Sequence, residues 1–388
     1  MVGRRHAEPL PILKTTSRLT MFLVCPSFYD GRLDGIGRVS GEMFHAMASY
    51  SGQAPYVLSA NDHTAPLGGR AYGGRHARMV LDSLVLRPSP KVMKHRTAVV
   101  CTHLGLSPVA RILARRWGVS WGVFLHGIEA WRPLPGRSRW GLKGAGLLMV
   151  NSIYTHRTFL RYNPAASPLP VRIVPLGVTA DFRIPLMVTS RRSAERTEVL
   201  TVGRMSNADF YQEYRDQGEI YKGFKSCVLA VGRVRDRGIK IHLTIVGDGD
   251  ARPEFEAWLQ SRPERDIVTL TGRIPDEDLR QCYERSDVFL LPSEGEGFGL
   301  VFVEAMAFGL PAICVNAGAA PEIVDDEITG LVAGKRDLDD LSAKLQRLCE
   351  DVKLRSKLGA AARARFEARF TRDEFQRRLF ESLRILNG

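Results

Sequence analysis

The feature that most limits the fold is a pattern repeated along the chain. A short apolar run ends at a turn residue and is followed by a stretch of helical spacing. Thr20–Cys25 runs into Pro26, and Gly122–Leu125 runs into His126-Gly127. Tyr56–Leu58, Ala98–Thr102, Leu147–Ser152 and Val171–Val174 are similar runs, while Val39–Tyr50 and Ser107–Trp117 carry helical spacing. Short unbroken apolar runs fit strands buried on both faces of a parallel sheet. The pattern restarts with Glu198–Val202 into Gly203-Arg204, then His242–Val246, Ile267–Leu270, Val288–Leu291 and Ala312–Val315. A helix is expected over Leu300–Ala307, and helical structure throughout the tail from Asp337 to Leu386. Such repeats imply right-handed crossovers and open, doubly wound α/β sheets. At 388 residues the chain is long for one core, so two such domains are expected. The linker falls within Gly177–Glu195. Two facing sheets place a ligand cleft at the carboxyl ends of their strands.

Composition narrows the function classes. With 44% hydrophobic and 25% charged residues, the chain reads as globular. No apolar run approaches the ~20 residues that span a bilayer. The run after Arg4 and Arg5 lacks a small-x-small cleavage site and reads as the first strand, not a signal peptide. Six scattered cysteines without a Cys-x-x-Cys predict reduced, buried thiols and a cytoplasmic setting. The net charge of +13 is unevenly spread: residues 1–185 hold 24 Lys+Arg against 8 Asp+Glu, and the remainder 31 against 34. Clusters include Arg70/Arg75/Arg78, Arg87/Lys91/Lys94/Arg96, Arg111/Arg115/Arg116 and Arg132/Arg137/Arg139/Lys143. A basic domain attracts anionic lipid, nucleic acid or an anionic substrate, or is a surface kept soluble by charge. Nucleic acid is disfavoured, since no aromatic RNA-binding strand, zinc-finger spacing or basic heptad region is present. Trp117, Trp121, Trp131 and Trp140 lie among the basic residues, where tryptophan fits either a membrane interface or a core.

The strongest constellation spans residues 293–324. It reads Ser-Glu-Gly-Glu296-Gly-Phe-Gly299-Leu-Val-Phe-Val-Glu304-Ala-Met-Ala-Phe-Gly309-Leu-Pro, then Gly318-Ala-Ala-Pro-Glu322-Ile-Val. Glycines 295, 297 and 299 between a strand and a helix permit close backbone approach to a ligand. The free N–H groups opening the Leu300 helix favour phosphate. Glu296 sits in the loop beside whatever it binds. Glu304, eight residues on, can accept two hydroxyls as an acidic residue does on a ribose. Alone, a glycine-rich strand–helix turn fits any nucleotide, and Glu304 also reads as an exposed helical glutamate.

This segment resembles the donor-binding motif of the retaining glycosyltransferases of family four, which have the GT-B fold. The signature there is two glutamates separated by seven residues around Gly-Phe-Gly, followed by Glu-Ala-Met-Ala-x-Gly-x-Pro. The likeness runs along the whole chain and is strong in the second half. It implies an acceptor-binding domain over 1–185, a nucleotide-sugar domain over 186–370 and a helix over 371–388 crossing back to the first domain. Glu296 would hold donor hexose hydroxyls, Gly297, Phe298, Gly299 and Leu300 would contact hexose and diphosphate, and Glu304 would hold the ribose. Gly203-Arg204 and Lys222-Gly223 resemble the pair whose cations grip the diphosphate, with Lys225 as the alternative to Lys222. Those cations are usually only a few residues apart, whereas here Met205–Tyr221 intervenes, a segment expected to loop over the cleft. Arg273 and Ile274 resemble the segment whose backbone reads the base. Gly247-Asp248-Gly249-Asp250 is expected to be a structural turn and not a metal site.

In the first half, Gly35-Ile36-Gly37-Arg38 resembles the family's first glycine loop. His126, after an apolar strand, would lie near the transferred sugar, and Asn151-Ser152 on the acceptor side. His103 and Glu129 are weaker candidates. The resemblance implies retention of anomeric configuration without a protein nucleophile, no metal and no cofactor beyond the donor, GDP-mannose or a UDP-hexose. It implies a lipid-linked or oligosaccharide acceptor, as in exopolysaccharide or lipopolysaccharide assembly, and attachment to the anionic inner face of the plasma membrane. Two other readings compete. One is a GT-B nucleotide-sugar epimerase, which needs carboxylates that act without an acceptor. The other is a non-catalytic glycan- or lipid-binding scaffold, which would not be stabilised by nucleotide.

Overall fold

The computed structural model describes residues 19–28, 35–66, 69–87, 96–178, 184, 195–206 and 222–387. Two fully parallel sheets organise the chain. The first has seven strands in the order β3-β2-β1-β4-β5-β6-β7. These are β1 (Leu19–Cys25), β2 (Tyr56–Ser59), β3 (Arg70–Ala71), β4 (Arg96–Cys101), β5 (Ser120–Leu125), β6 (Leu147–Val150) and β7 (Val171–Ile173). The second has six, ordered β10-β9-β8-β11-β12-β13: β8 (Thr197–Val202), β9 (Ile241–Val246), β10 (Val268–Gly272), β11 (Val288–Leu290), β12 (Ala312–Val315) and β13 (Gly330–Ala333). In each, the order reverses beside the first strand, between β1 and β4 and between β8 and β11. Chain crossovers diverge there and leave a crevice at the strand ends.

The strands form because helices cover both faces. Val99, Val100, Val123, Leu125, Leu148 and Val150 are all fully buried, which only a doubly covered sheet achieves. On one face of the first sheet lie α2 (His76–Val85), α3 (Ser107–Trp117), α4 (Gly136–Leu142) and α5 (Ile153–Tyr162), which share a core with Met79, Val109, Leu113, Leu142 and Phe159. On the other lies α1 (Gly35–Ser51), with Met43 and Met47 fully buried. The second domain contributes α6 (Phe224–Asp236), α7 (Arg252–Gln260), α8 (Asp276–Arg285), α9 (Leu300–Ala307) and α10 (Ala320–Ile323).

The tail is three helices: α11 (Leu338–Glu350), α12 (Val352–Arg369) and α13 (Arg372–Leu383). Asp337, Asp351 and Thr371 cap them in turn, their side chains accepting from Asp340, Leu354 and Glu374 N–H. The tail is therefore helical throughout, as three capped helices. α13 returns to the first domain. Arg372 Nε donates to Glu42 at 2.6 Å, and Phe380 stacks on Tyr50 at the far end of α1, with 5.1 Å between ring centroids. Gly177 makes this crossing possible, because a Cβ there would lie 2.6 Å from Thr371 O.

One sequence expectation needs correction. Gly35 and Gly37 lie in the first turn of α1, not in a loop before it. Of the two readings open for the tryptophans, Trp121 and Trp131 take the buried core one. β3, α2 and β13 were not foreseen. Of the expected linker, residues 179–183 and 185–194 lie outside the described residues, as do 207–221 of the inserted segment and Lys91 and Lys94 of the basic clusters.

Candidate active site

The cleft is built where the two switch points face each other. In the second domain, β11 ends at Leu290, and residues 291–299 lead into α9. Gly299, at φ 90°, opens that helix in the left-handed region, which favours glycine. Glu296 is only 5% exposed. A carboxylate so buried needs a partner, and Lys222 Nζ supplies one by pairing with Glu296 Oε1. Lys222 has φ 87° and precedes Gly223, which opens α6 at φ 77°. Gly203, at the end of β8, stands against the Lys222 side chain: a Cβ there would lie 3.4 Å from its Cγ. Arg204 is the next residue and is exposed. The alternative, Lys225, is engaged elsewhere, 3.5 Å from Glu254 and 5.6 Å from the Trp258 ring centroid. Gly247 and Gly249 let the β9 turn pack on the backbone of Gly203 and Met205, and Asp248 accepts from Gly249 N–H at 2.8 Å.

Glu304 lies in α9, partly shielded, with Tyr283 of α8 donating to its Oε2 at 2.8 Å. Burial raises the Glu304 carboxyl above its ordinary value of 4.5, while the Tyr283 hydroxyl and the charge of Arg38 pull it back. Burial also lifts the Tyr283 phenol, as does the neighbouring carboxylate. Arg38 comes from the first domain, yet donates to Asp276 at the start of α8 at 2.7 Å. Gly272, Arg273 and Ile274 form the turn between β10 and α8. Ile274 packs into the core beneath, and Arg273 is exposed.

The first domain meets this loop backbone to backbone. A Cβ on Gly297 would strike His126 O, and one on Gly127 would lie 2.9 Å from Gly297 Cα. Phe298 is buried against Phe370, with ring centroids 6.1 Å apart. His126 Nε2 lies 2.6 Å from Thr102 O. A carbonyl only accepts, so Nε2 carries the proton and cannot act as a base. Its backbone N–H donates to Glu129 at 2.5 Å, and its carbonyl accepts from Asn151 Nδ2 at 2.6 Å. Ser40 of α1 is 2.8 Å from the Thr102 hydroxyl, so three elements fix the histidine's surroundings. His103 Nδ1 accepts from Gly105 N–H at 3.0 Å, a local cap.

Two further contacts join the halves. Ser152 and Thr155 hydroxyls donate to Gly297 O at 2.7 and 3.1 Å. Glu322 accepts from the Ile153 and Tyr154 N–H groups at 2.9 and 2.6 Å, so a carboxylate of one domain caps a helix of the other. Thus the structure gathers Gly203, Lys222, Glu296, Gly297, Phe298, Gly299 and Leu300 on one side of a junction. His126, Asn151 and Ser152 stand on the other. Glu304 sits with Tyr283 and Arg38, and Arg38 reaches it from the α1 turn that holds Gly35 and Gly37. Tyr283, Asp276 and Thr155 were given no role from sequence. A lone tyrosine in a polar helix carries no signal, and Glu322 was visible only as part of a motif.

Two facing, fully parallel α/β sheets with this strand order have the GT-B fold. Residues 215–365 match the family model of glycosyl transferases group 1. A protein of Mycobacterium tuberculosis named as a GDP-mannose-dependent alpha-(1-6)-phosphatidylinositol monomannoside mannosyltransferase is 29% identical over 90% of this chain and 92% of its own. Among solved structures, sucrose-phosphate synthase from Thermosynechococcus elongatus superposes with a TM-score of 0.73 at 21% identity, covering 95% of this chain and 99% of its own. Anabaena HepE, solved with UDP and glucose, gives 0.72 at 16%, covering 94% and 99%.

Proposed function

We propose that the protein is a retaining, metal-independent hexosyltransferase. Its donor would be GDP-mannose or a UDP-hexose, and its acceptor a lipid-linked or glycan hydroxyl in surface polysaccharide synthesis. The observation that carries the reading is the Lys222–Glu296 pair, buried in a glycine loop whose backbone abuts His126-Gly127. A sugar diphosphate lying there would place its hexose hydroxyls on Glu296 and its ribose on Glu304. Arg204, Lys222 and the α9 N-terminus would offset charge on the departing diphosphate. The bond between the anomeric carbon and the diphosphate breaks as the acceptor oxygen attacks from the same face. The acceptor proton passes to the departing phosphate oxygen. The protein contributes positioning and charge. His126, with its Nε2–H committed to Thr102, orients the sugar and takes no proton there.

The GDP-mannose dependence in the mycobacterial relative's name supports a mannosyl donor. Phosphatidylinositol in that name supports a membrane-borne acceptor. No helix among the described residues is long and apolar enough to cross a membrane, and peripheral attachment to the inner face of the plasma membrane fits the basic first domain. Release of GDP or UDP from a panel of donor sugars tests the proposal. GDP release from GDP-mannose, raised by a lipid-linked acceptor, is expected. Glu296→Gln should lower turnover more than nucleoside-diphosphate affinity, and equal loss in both would contradict the assigned role.

A further inference from the structure

Away from the cleft, α2 presents its apolar residues outward. Met79 and Ser83 are buried against the domain. The opposite side, at helical spacing, carries Ala77, Val80, Leu81, Leu84 and Val85, all exposed, with Leu81 at 63% and Val85 at 69%. Single exposed leucines are ordinary, but a contiguous stripe on one helix marks an interaction surface. The helix is firmly held from below. It packs on α3, and Trp117 Nε1 donates to Leu86 O at 3.1 Å.

The surroundings say what fits. Arg75, Arg78, Arg87, Arg115 and Arg116 are exposed on α2, its flanks and the end of α3. Between residues 63 and 178 there are 17 Lys and Arg against two acids, Asp82 and Glu129. Both acids are engaged internally: Asp82 accepts from Arg70 at 2.9 Å and Glu129 from His126 N–H. α2 to α5 share one face of the sheet, and Arg137, Arg139, Lys143, Arg157 and Arg161 are exposed on or beside α4 and α5, so this face is a basic layer with an apolar ridge.

We propose that α2 docks the protein on an anionic lipid bilayer. Val80, Leu81, Leu84 and Val85 enter the boundary between headgroups and acyl chains, and Arg75, Arg78, Arg87, Arg115 and Arg116 lie on the headgroups. The charge selects this occupant over a second copy of the chain, since two such faces would repel. The inference rests on the reading of a membrane-borne acceptor and gives it a location.

Co-sedimentation of the full chain with vesicles tests it, using phosphatidylcholine alone or with roughly a third phosphatidylglycerol. Binding is expected only to the anionic vesicles. It should fall by about tenfold or more in Leu81→Ser/Leu84→Ser, which removes buried apolar area, and again in high salt. The rise in Tm with GDP should be unchanged in the variant, showing an intact donor domain. Wild-type protein that stays in solution overturns the proposal, as does a variant that sediments like wild type. So does a wild-type dimer that the variant converts to monomer, which would make the stripe a contact between copies. Failure of vesicle binding with GDP release intact removes the docking surface and leaves the transfer reading. Vesicle binding without GDP release does the reverse.

Discussion

Glu304 is a side chain whose burial is costly at rest and whose proposed use is to hold a ligand. Burial raises its carboxyl, so the folded protein holds that proton more tightly than the unfolded chain. Its contribution to stability is therefore fully present below the unfolded value and is lost as pH rises through the folded one. At neutral pH its charge is a cost. Glu304→Gln should raise the Tm of the ligand-free protein near pH 7 and leave it unchanged well below pH 4.5, the ordinary glutamate value. The same variant should show a smaller Tm rise with GDP, because ribose hydroxyls prefer an ionised acceptor. A variant that loses stability near pH 7 would contradict this. Tyr283 is the positioning residue beside it. Its hydrogen bond favours the ionised carboxylate, so Tyr283→Phe should move the pH at which nucleotide affinity declines upward. A hydrogen bond to a charged group contributes about 1.5–3 kcal/mol, so affinity should weaken by roughly tenfold or more. A purely structural tyrosine would change Tm and leave the pH profile in place.

Elements differed in how openly the sequence declared them. β5, β6 and β12 were legible because full burial on both faces leaves an unbroken apolar run. β3 has only two residues, too few for any pattern. α2 was hidden because its apolar stripe faces solvent and its buried side is just Met79 and Ser83. The glycine loop and its two glutamates were legible as a motif, while the pairing of Lys222 with Glu296 and of Lys225 with Glu254 was not. The junction was not legible, since Ser152, Thr155 and Glu322 meet Gly297 and α5 across more than 140 positions of chain. Those contacts join one element of each domain, so they should set how closely the domains sit. A capping partner contributes about 0.5–2 kcal/mol, and Ser152 caps α5 as well, accepting from Thr155 N–H at 3.0 Å. Ser152→Ala/Glu322→Ala should therefore lower Tm modestly and increase the radius of gyration of the ligand-free protein in small-angle scattering. An unchanged radius would mean that the remaining contacts alone hold the junction.

For the whole molecule, one late element packs on an early one, and that contact governs folding. The face of the first sheet that carries α1 is completed by α13, which follows the entire second domain. Phe375, Leu379, Leu383 and Leu386 are buried there. Leu386 reaches the strands themselves: a Cβ on Gly122 of β5 would lie 3.2 Å from its methyl group. A chain cut after residue 185 lacks this cover and exposes Met43, Met47 and the sheet beneath them. Truncating even one buried leucine costs about 2–5 kcal/mol, and several are lost together, against a typical domain stability of about 5–15 kcal/mol. The 1–185 fragment should therefore be aggregated or expanded, with strong binding of a hydrophobic dye and no cooperative thermal transition. Adding a peptide of residues 371–388, or fusing it through a flexible linker, should restore a transition. A fragment that melts cooperatively without the peptide would show that α13 merely rests on a finished domain. The full chain should melt in a single transition, and Leu379→Ala should lower that Tm without splitting it, because α13 ties α12 of the second domain to α1 of the first.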